Sequence, residues 1–315
     1  MKFSQIASST GLTSKVVPVI LSKSVLLANY IEFFTKPGSA ITFRKSGASD
    51  DVAAKTRVLG TEYTEAKFTP NYDTAERKFI GGQVKIDVAL EKMGYDLASE
   101  FETNLLRHMR DFAGIFHHML INGDPDADAK QFAGLKELCV DARKVSAGDN
   151  GLELLQGNDN TAKKAQQAFL EKLDETIALC DGNSKVLLMN ARTQARLNSI
   201  AREYLTIQKN EFGVPITFYN QIPLINPGDY QSAVGVYSPI IAFNETKGTA
   251  AEKCASVYCA SFEEEDGVSF ATTEGGFTVY DLVRIDTWWK STYELIVDST
   301  LHRPSALSKL EGLYL

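Results

Sequence analysis

The sequence predicts an α+β fold, on three observations. A long helical stripe covers about Asp96 to Asn122. The second half of the chain breaks into short apolar runs of strand character. The two kinds of element mix without the regular strand–helix alternation of a parallel α/β sheet. In the helix, Leu97, Phe101, Leu105, Phe112, Phe116 and Met119 recur at spacings of three, four and seven and so share one face. Asp96, Glu100 and Glu102 lie in its early turns, and Arg107, Arg110, His117 and His118 lie later, in accord with the helix dipole. Asn122-Gly123 and then Pro125 end it. At 1.5 Å per residue this is a rod of roughly 40 Å.

The other elements follow in chain order. Residues 1–15 are polar enough to be a mobile arm. Val16 to Phe34 is apolar enough to pack, with a short helix before Pro37-Gly38, and Ala40 to Lys45 reads as a strand. From Ser46 to Gly82 the chain turns polar. Glu62 to Thr69 and Glu76 to Ile80 read there as strands about a Pro70-Asn71-Tyr72-Asp73 turn. Such a hairpin is marginal by itself in water and is expected to lean on another subunit; the plainer reading rests it on its own chain. Thr161 to Cys180 is a second helix, with Phe169, Leu173 and Ile177 on one stripe. Val186 to Met189 suits a buried strand, and Asn190 is placed to cap a third helix through Tyr204. Strands are expected at Val214–Tyr219, Ile222–Ile225, Ala233–Phe243, Ala255–Phe262 and Val268–Thr272. A last pair, Phe277–Asp286 and Ser291–Val297, bends near Trp288-Trp289-Lys290.

The composition is that of an ordinary soluble globular protein: 44% hydrophobic and 23% charged over 315 residues. A formal net charge of -7 argues against a body that wraps duplex nucleic acid through its phosphates. No run is apolar enough to span a bilayer, and the N-terminus has no secretory signal pattern. Cys139, Cys180, Cys254 and Cys259 lack zinc-ribbon spacing and read as reduced, partly buried thiols.

Patterns that carry chemistry are sparse. Asp124, Asp126 and Asp128 alternate as in a calcium loop, but Ala129 and Leu135 stand where that loop needs Gly and Glu, so a solvated acidic loop is expected. His117 and His118 are adjacent and point about 100° apart on a helix, which gives no shared ligand face; they, with isolated His108 and His302, read as surface or dipole-facing imidazoles. There is no nucleophile elbow, phosphate loop or dinucleotide fingerprint. Gly275-Gly276 is a turn signal, and Glu263-Glu264-Glu265-Asp266 a charged hairpin tip. Of Trp288 and Trp289, neighbours on opposite faces of a strand, one is core and the other an interface anchor, or both pack on a covered sheet.

The order and character of these segments resemble the major capsid protein of tailed bacteriophages, the Hong Kong 97-type fold. The segments that carry the resemblance are VVPVILSKSVLLANYIEFF, the charged hairpin before VKIDVALEKMGYDLASEF, the helix ending LINGD, KVLLMNARTQARL, FGVPITFYNQIPLI, and the close VRIDTWWKSTYELIVDSTLHRPSALSKLEGL. The resemblance covers roughly Val16 to Leu313. It implies an N-terminal arm (1–39), a peripheral domain (40–45 and 83–134) with spine helix 96–122, an extended loop (46–82), an axial domain (135–278), peripheral return strands (279–298), and a C-terminal segment packing on the axial domain (299–315). It further implies contact with a neighbouring subunit through Glu62, Glu65, Lys67, Tyr72, Arg77 and Lys78, and packing of the spine helix through Leu97, Phe101, Leu105, Phe112 and Phe116.

The implied function is structural: self-assembly through hexamers and pentamers into an icosahedral shell around double-stranded DNA, in a virion capsid assembled in the host cytoplasm. There is no cofactor, metal or catalytic residue. The expected partners are further copies of the chain, a portal, and separate scaffolding or decoration proteins; DNA is enclosed without sequence-specific binding and no membrane is involved. With about 15 residues before the first matching segment, no long scaffolding segment is expected at the N-terminus. Some members weld subunits through a loop Lys and a C-terminal Asn. Here Lys55, Lys67 and Lys78 are available, but no Asn or Gln follows Asn244, so no such bond is expected. The acidic balance fits a wall that does not hold the genome being driven past it. The nearest alternative is an encapsulin-like bacterial nanocompartment shell. An alternative of another class is an α+β enzyme, with Asp124, Asp126 and His117 as its best pocket residues.

Overall fold

The computed structural model describes residues 1–8, 11–45, 56–63, 71–157, 159–209, 213–264 and 266–315. Among them the strands form two large sheets and two separate two-stranded ribbons.

The first sheet is built on the longest strand, Trp288–Leu301. Lys78–Asp87 pairs along one side of it, antiparallel over its whole length. Val268–Val279 and the short Val283–Ile285 pair on the other side, and Phe33–Thr35 adds to Val268–Val279 in parallel. The helix Leu97–Asn122 lies against this sheet. Asp96 caps it as its side chain accepts from the Ala98 N–H at 3.0 Å. Phe101, Leu105, Phe112 and Phe116 are buried and Leu97 is half-buried. Phe116 meets Phe270 at 5.5 Å, Phe132 at 6.1 Å and Phe33 at 6.5 Å between ring centroids.

The second sheet runs, in spatial order, Lys144–Ser146, Leu307–Tyr314, Ala250–Ser261, Lys185–Leu188, Ile222–Ile225, Pro215–Tyr219 and Leu205–Lys209. Its core takes Phe169 and Leu173 from the helix Asn160–Leu179, and Leu197 from the helix Ala191–Ile200, whose N-terminus Asn190 caps through the Arg192 N–H.

Several expectations are corrected. The N-terminal residues are not a loose arm: Phe3–Ile6 is a turn of helix whose Phe3 and Ile6 are fully buried, Phe3 lying 5.2 Å from Phe277. Two apolar side chains within the first six residues pack into the core, Phe3 against Phe33 and Phe277, and their burial outweighs the polar neighbours. Asn71 to Asp73 do not turn but begin the strand Asn71–Glu76, held by pairing with Ala40–Lys45 and by the Lys45–Asp73 ion pair at 3.1 Å. Glu62 and Tyr63 are not in a strand, and 64–69 lie outside the described residues.

Glu76 to Ile80 is two strands, broken at Arg77, because the chain there leaves one sheet for another. Ala233 to Phe243 is not one strand; Asp229–Ala233 and Val236–Pro239 form a hairpin about Gly235, where φ is +76°. Val268–Val279 runs straight through Gly275-Gly276, which make a bulge with Gly275 at φ +64° rather than a chain reversal. The last reversal falls at Asp286-Thr287, before the tryptophans. Trp288 is 40% exposed and Trp289 packs against the core, its indole N–H donating to Glu91 at 3.3 Å.

Candidate assembly surfaces

The ribbon formed by Ala40–Lys45 and Asn71–Glu76 is largely exposed beside the first sheet. Along Asn71–Glu76 only Ala75 is buried; Ile41 and Phe43 are the buried side chains of its partner. One narrow face therefore touches the body and the rest meets solvent. Of the residues expected to reach a neighbouring subunit, Tyr72 is 60% exposed and Glu62 is exposed, while Glu65 and Lys67 lie outside the described residues.

Arg77 and Lys78 are placed differently from that expectation. Both sit at the foot of the ribbon, covered by their own chain. Arg77 is 9% exposed; its backbone N–H donates to Ser39 O and its guanidinium donates to Lys36 O. Burial lowers its pKa. The Lys78 ammonium lies 3.6 Å from Glu76 with the side chain 14% exposed. Both are needed where the strand crosses between sheets, which removes them from the outer surface.

The foot of the ribbon rests on His302 and Asp298. His302 is buried, with Nδ1 at 3.1 Å from Arg44 O, Nε2 at 3.2 Å from Ser269 Oγ, and its ring against Phe43 at 5.3 Å. It is not the isolated surface imidazole that was expected. Asp298 is 7% exposed, and burial pushes its carboxyl up to about 7.

His117 is likewise a buried junction. Its Nδ1 lies 2.9 Å from Pro227 O and its Nε2 2.7 Å from Ser24 Oγ. The carbonyl can only accept, so Nδ1 carries the proton and the Ser24 hydroxyl donates to Nε2. One side chain thus ties the N-terminal segment, the long helix and the loop before the Asp229–Pro239 hairpin. Burial depresses its pKa to about 4. It lines a cavity of 520 Å³ with Lys23, Arg110, Gln194, Asn226 and Asp229. It does not share a site with the acidic loop: Asp124 caps its own turn, accepting from the Asp126 and Ala127 N–H groups at 2.9 and 3.0 Å. Among the described residues no group of three or more His, Cys, Asp or Glu is placed to hold a metal ion, and no helix is long and apolar enough to cross a membrane. The four cysteines are buried and unpaired by disulfides.

Of the acidic run, Glu265 lies outside the described residues; Glu263, Glu264 and Asp266 are not at a hairpin tip, since the strands before and after them, Ala250–Ser261 and Val268–Val279, belong to different sheets. Glu263 accepts from Ser261 Oγ at 2.8 Å and from the Ser184 N–H at 3.1 Å, and Glu264 meets the N-terminal ammonium at 3.1 Å.

No family model matches the sequence, and no curated protein matches it significantly. Solved structures do. The holo-SrpI encapsulin complex of Synechococcus elongatus PCC 7942 aligns with a TM-score of 0.63 at 11% identity, over 91% of this chain and 87% of that one. The capsid of a native GTA particle aligns at 0.58 and 11% identity, over 93% and 90%. The capsid of Ralstonia phage GP4 aligns at 0.55 and 12% identity, over 90% and 87%. The chain has the Hong Kong 97-type fold of these capsid and encapsulin shells.

Proposed function

We propose that this chain is the structural subunit of a tailed-phage capsid, assembling with its own copies through hexamers and pentamers into an icosahedral shell around double-stranded DNA. The observation that carries the reading is a likeness to shell subunits running through about nine-tenths of the chain, at TM-scores above 0.5. The exposed ribbon supports it. A two-stranded element that buries one narrow face gains little from its own body and much from a second surface.

In this reading the ribbon is the stem of the extended loop, Leu97–Asn122 the spine helix, the first sheet the peripheral domain and the second sheet the axial domain. Binding is to further copies first, then to a portal and to separate scaffolding or decoration proteins, and the shell is built in the host cytoplasm. No catalytic role is assigned. With no Asn or Gln beyond Asn244, mature particles should give monomer bands rather than a covalent ladder on a denaturing gel.

A second reading, an encapsulin-like nanocompartment, is favoured by the encapsulin alignment, the highest TM-score of the three. Negative-stain microscopy of the expressed protein, followed by assay of nuclease-protected DNA, tests both. Closed shells holding DNA support the phage reading, and closed shells holding a protein cargo replace it with the second. A small oligomer without particles overturns both.

A further inference from the structure

The cavity lined by His117 is walled from both sides of the molecule. Lys23, the last residue of the helix Gly11–Lys23, and Arg110, from the long helix, reach it from the side of the first sheet. Gln194, on the helix Ala191–Ile200, and the strands Pro215–Tyr219 and Ile222–Ile225 reach it from the side of the second. Its 520 Å³ falls within the range of small-molecule sites, roughly 300–1,000 Å³. Val25, Leu26, Ile216 and Leu224 give it an apolar stretch of wall.

The polar groups of the pocket are of two kinds. Some are spent on the fold. His117 is bonded through both ring nitrogens, to Pro227 O and to Ser24 Oγ, and Asn226 Oδ1 accepts from the Gly228 N–H at 3.1 Å. Others are not. Among the described residues no ion pair or side-chain hydrogen bond engages Lys23, Arg110, Gln194 or Asp229. Lys23 suits the dipole of its own helix, whose last turn it occupies, but that leaves its ammonium donors unbonded. Two cations against one carboxylate make the pocket net positive, in a chain whose net charge is -7.

We propose that this pocket binds a small organic phosphate, a dianionic group carried on a compact apolar body. Arg110 and Lys23 take the phosphate. The guanidinium offers paired N–H donors to two oxygens and the ammonium adds a point charge, so the two cations match a dianion better than a single carboxylate. Gln194 has a free amide to donate, and the apolar wall covers the body of the ligand. Asp229 works against the anion and weakens the site. A ligand held here touches elements of both sheets at once, and binding to the folded chain alone stabilises it. The pocket is completed within one chain and goes beyond the shell reading.

The test is isothermal titration of the intact protein at low ionic strength with three probes: phenyl phosphate, inorganic phosphate and phenol. Phenyl phosphate should saturate one site per chain with a Kd of about 1 mM or tighter. Inorganic phosphate, which lacks the apolar body, and phenol, which lacks the anion, should each bind at least about tenfold more weakly. Arg110→Gln and Lys23→Gln should each weaken phenyl phosphate roughly tenfold, and Asp229→Asn should strengthen it. All three side chains are exposed, so the variants should keep the parent's thermal midpoint without ligand. Arg107→Gln, an exposed cation one turn away on the same helix and outside the pocket, should bind as the parent does. No saturation by phenyl phosphate, equal affinity for either fragment, or unchanged binding in both Arg110→Gln and Lys23→Gln overturns the site. An equal loss in Arg107→Gln does the same, since it marks a diffuse effect of surface charge. Failure to form particles would remove the shell reading and leave this result untouched.

Discussion

His117 and Asp298 set up opposing dependences of stability on pH. The folded chain holds the His117 imidazole neutral down to about 4, whereas the unfolded one takes up its proton near 6.5. Acid therefore favours the unfolded chain, and this stabilisation is present above 6.5 and lost between 6.5 and 4. Between pH 7 and 5 the loss is about 2 kcal/mol. Asp298 works the other way. Its folded carboxyl binds a proton near 7 and its unfolded one near 3.8, so acidification through 7 relieves a buried charge. Over the same interval the gain is again about 2 kcal/mol. The two oppose each other, and His118, also held below its ordinary value by burial, adds to the acid side. In equilibrium urea unfolding, His117→Gln, which can still donate to Pro227 O, should gain stability relative to the parent as pH falls from 7 to 5, and Asp298→Asn should lose it. Midpoints of both variants that stay parallel to the parent across the interval would refute the assignment of these two groups as the opposing titrations.

Three further substitutions test the packing. Phe116→Ala empties the centre of an aromatic cluster whose rings stand 5.5 to 6.5 Å away and should cost about 3–5 kcal/mol in urea unfolding. Asp96→Ala removes the cap of the long helix and should cost about 1 kcal/mol, with a matching small fall in thermal midpoint. Lys309→Met leaves the carboxylates of Glu245 and Glu311, now 3.5 and 3.8 Å from the ammonium, without that cation in a mostly buried site; a loss of about 3 kcal/mol is expected, with part of it recovered on adding Glu245→Gln.

The long helix was legible because its signals are local. Asp96, the apolar stripe and Gly123 all act within a few residues of the backbone groups they serve. The same holds for the buried run Lys185–Leu188 and for the Asn190 cap. His117 was not legible as a buried residue, since it lies off the stripe by about 100°. It is buried because a second layer, the helix Gly11–Lys23 and the Ser24 turn, covers the flank of the long helix. Leu307–Tyr314 escaped notice for a related reason. Lys309 and Glu311 make it read as polar, yet it is an interior strand of the second sheet, with Lys309 6% exposed, paired to Glu245 and lying 5.8 Å over the Tyr258 ring. A charge such as Lys309, whose partner Glu245 is 64 residues away, and a strand that changes sheet at Arg77 depend on distant contacts, which a local pattern does not carry.

The distribution of buried surface separates what one chain completes from what it leaves open. Both sheets have apolar cores made within the chain, joined by Ser24, His117 and Pro227 at one junction and by Glu263, bonded to Ser261 and Ser184, at another. A single chain therefore completes both cores by itself. The ribbon is the exception. Its inward side chains are few: Phe43 and Ala75 line the cavity that holds Asp298, Ile41 packs with Phe34 and Ala271, and Tyr72 faces solvent. Stability is thus concentrated in the two cores, while the ribbon rests on three apolar side chains, the His302 contact with Arg44 O and the Arg77 bonds at its foot. In the shell proposed above, that division suits an outward element that settles on a second surface once the body has formed.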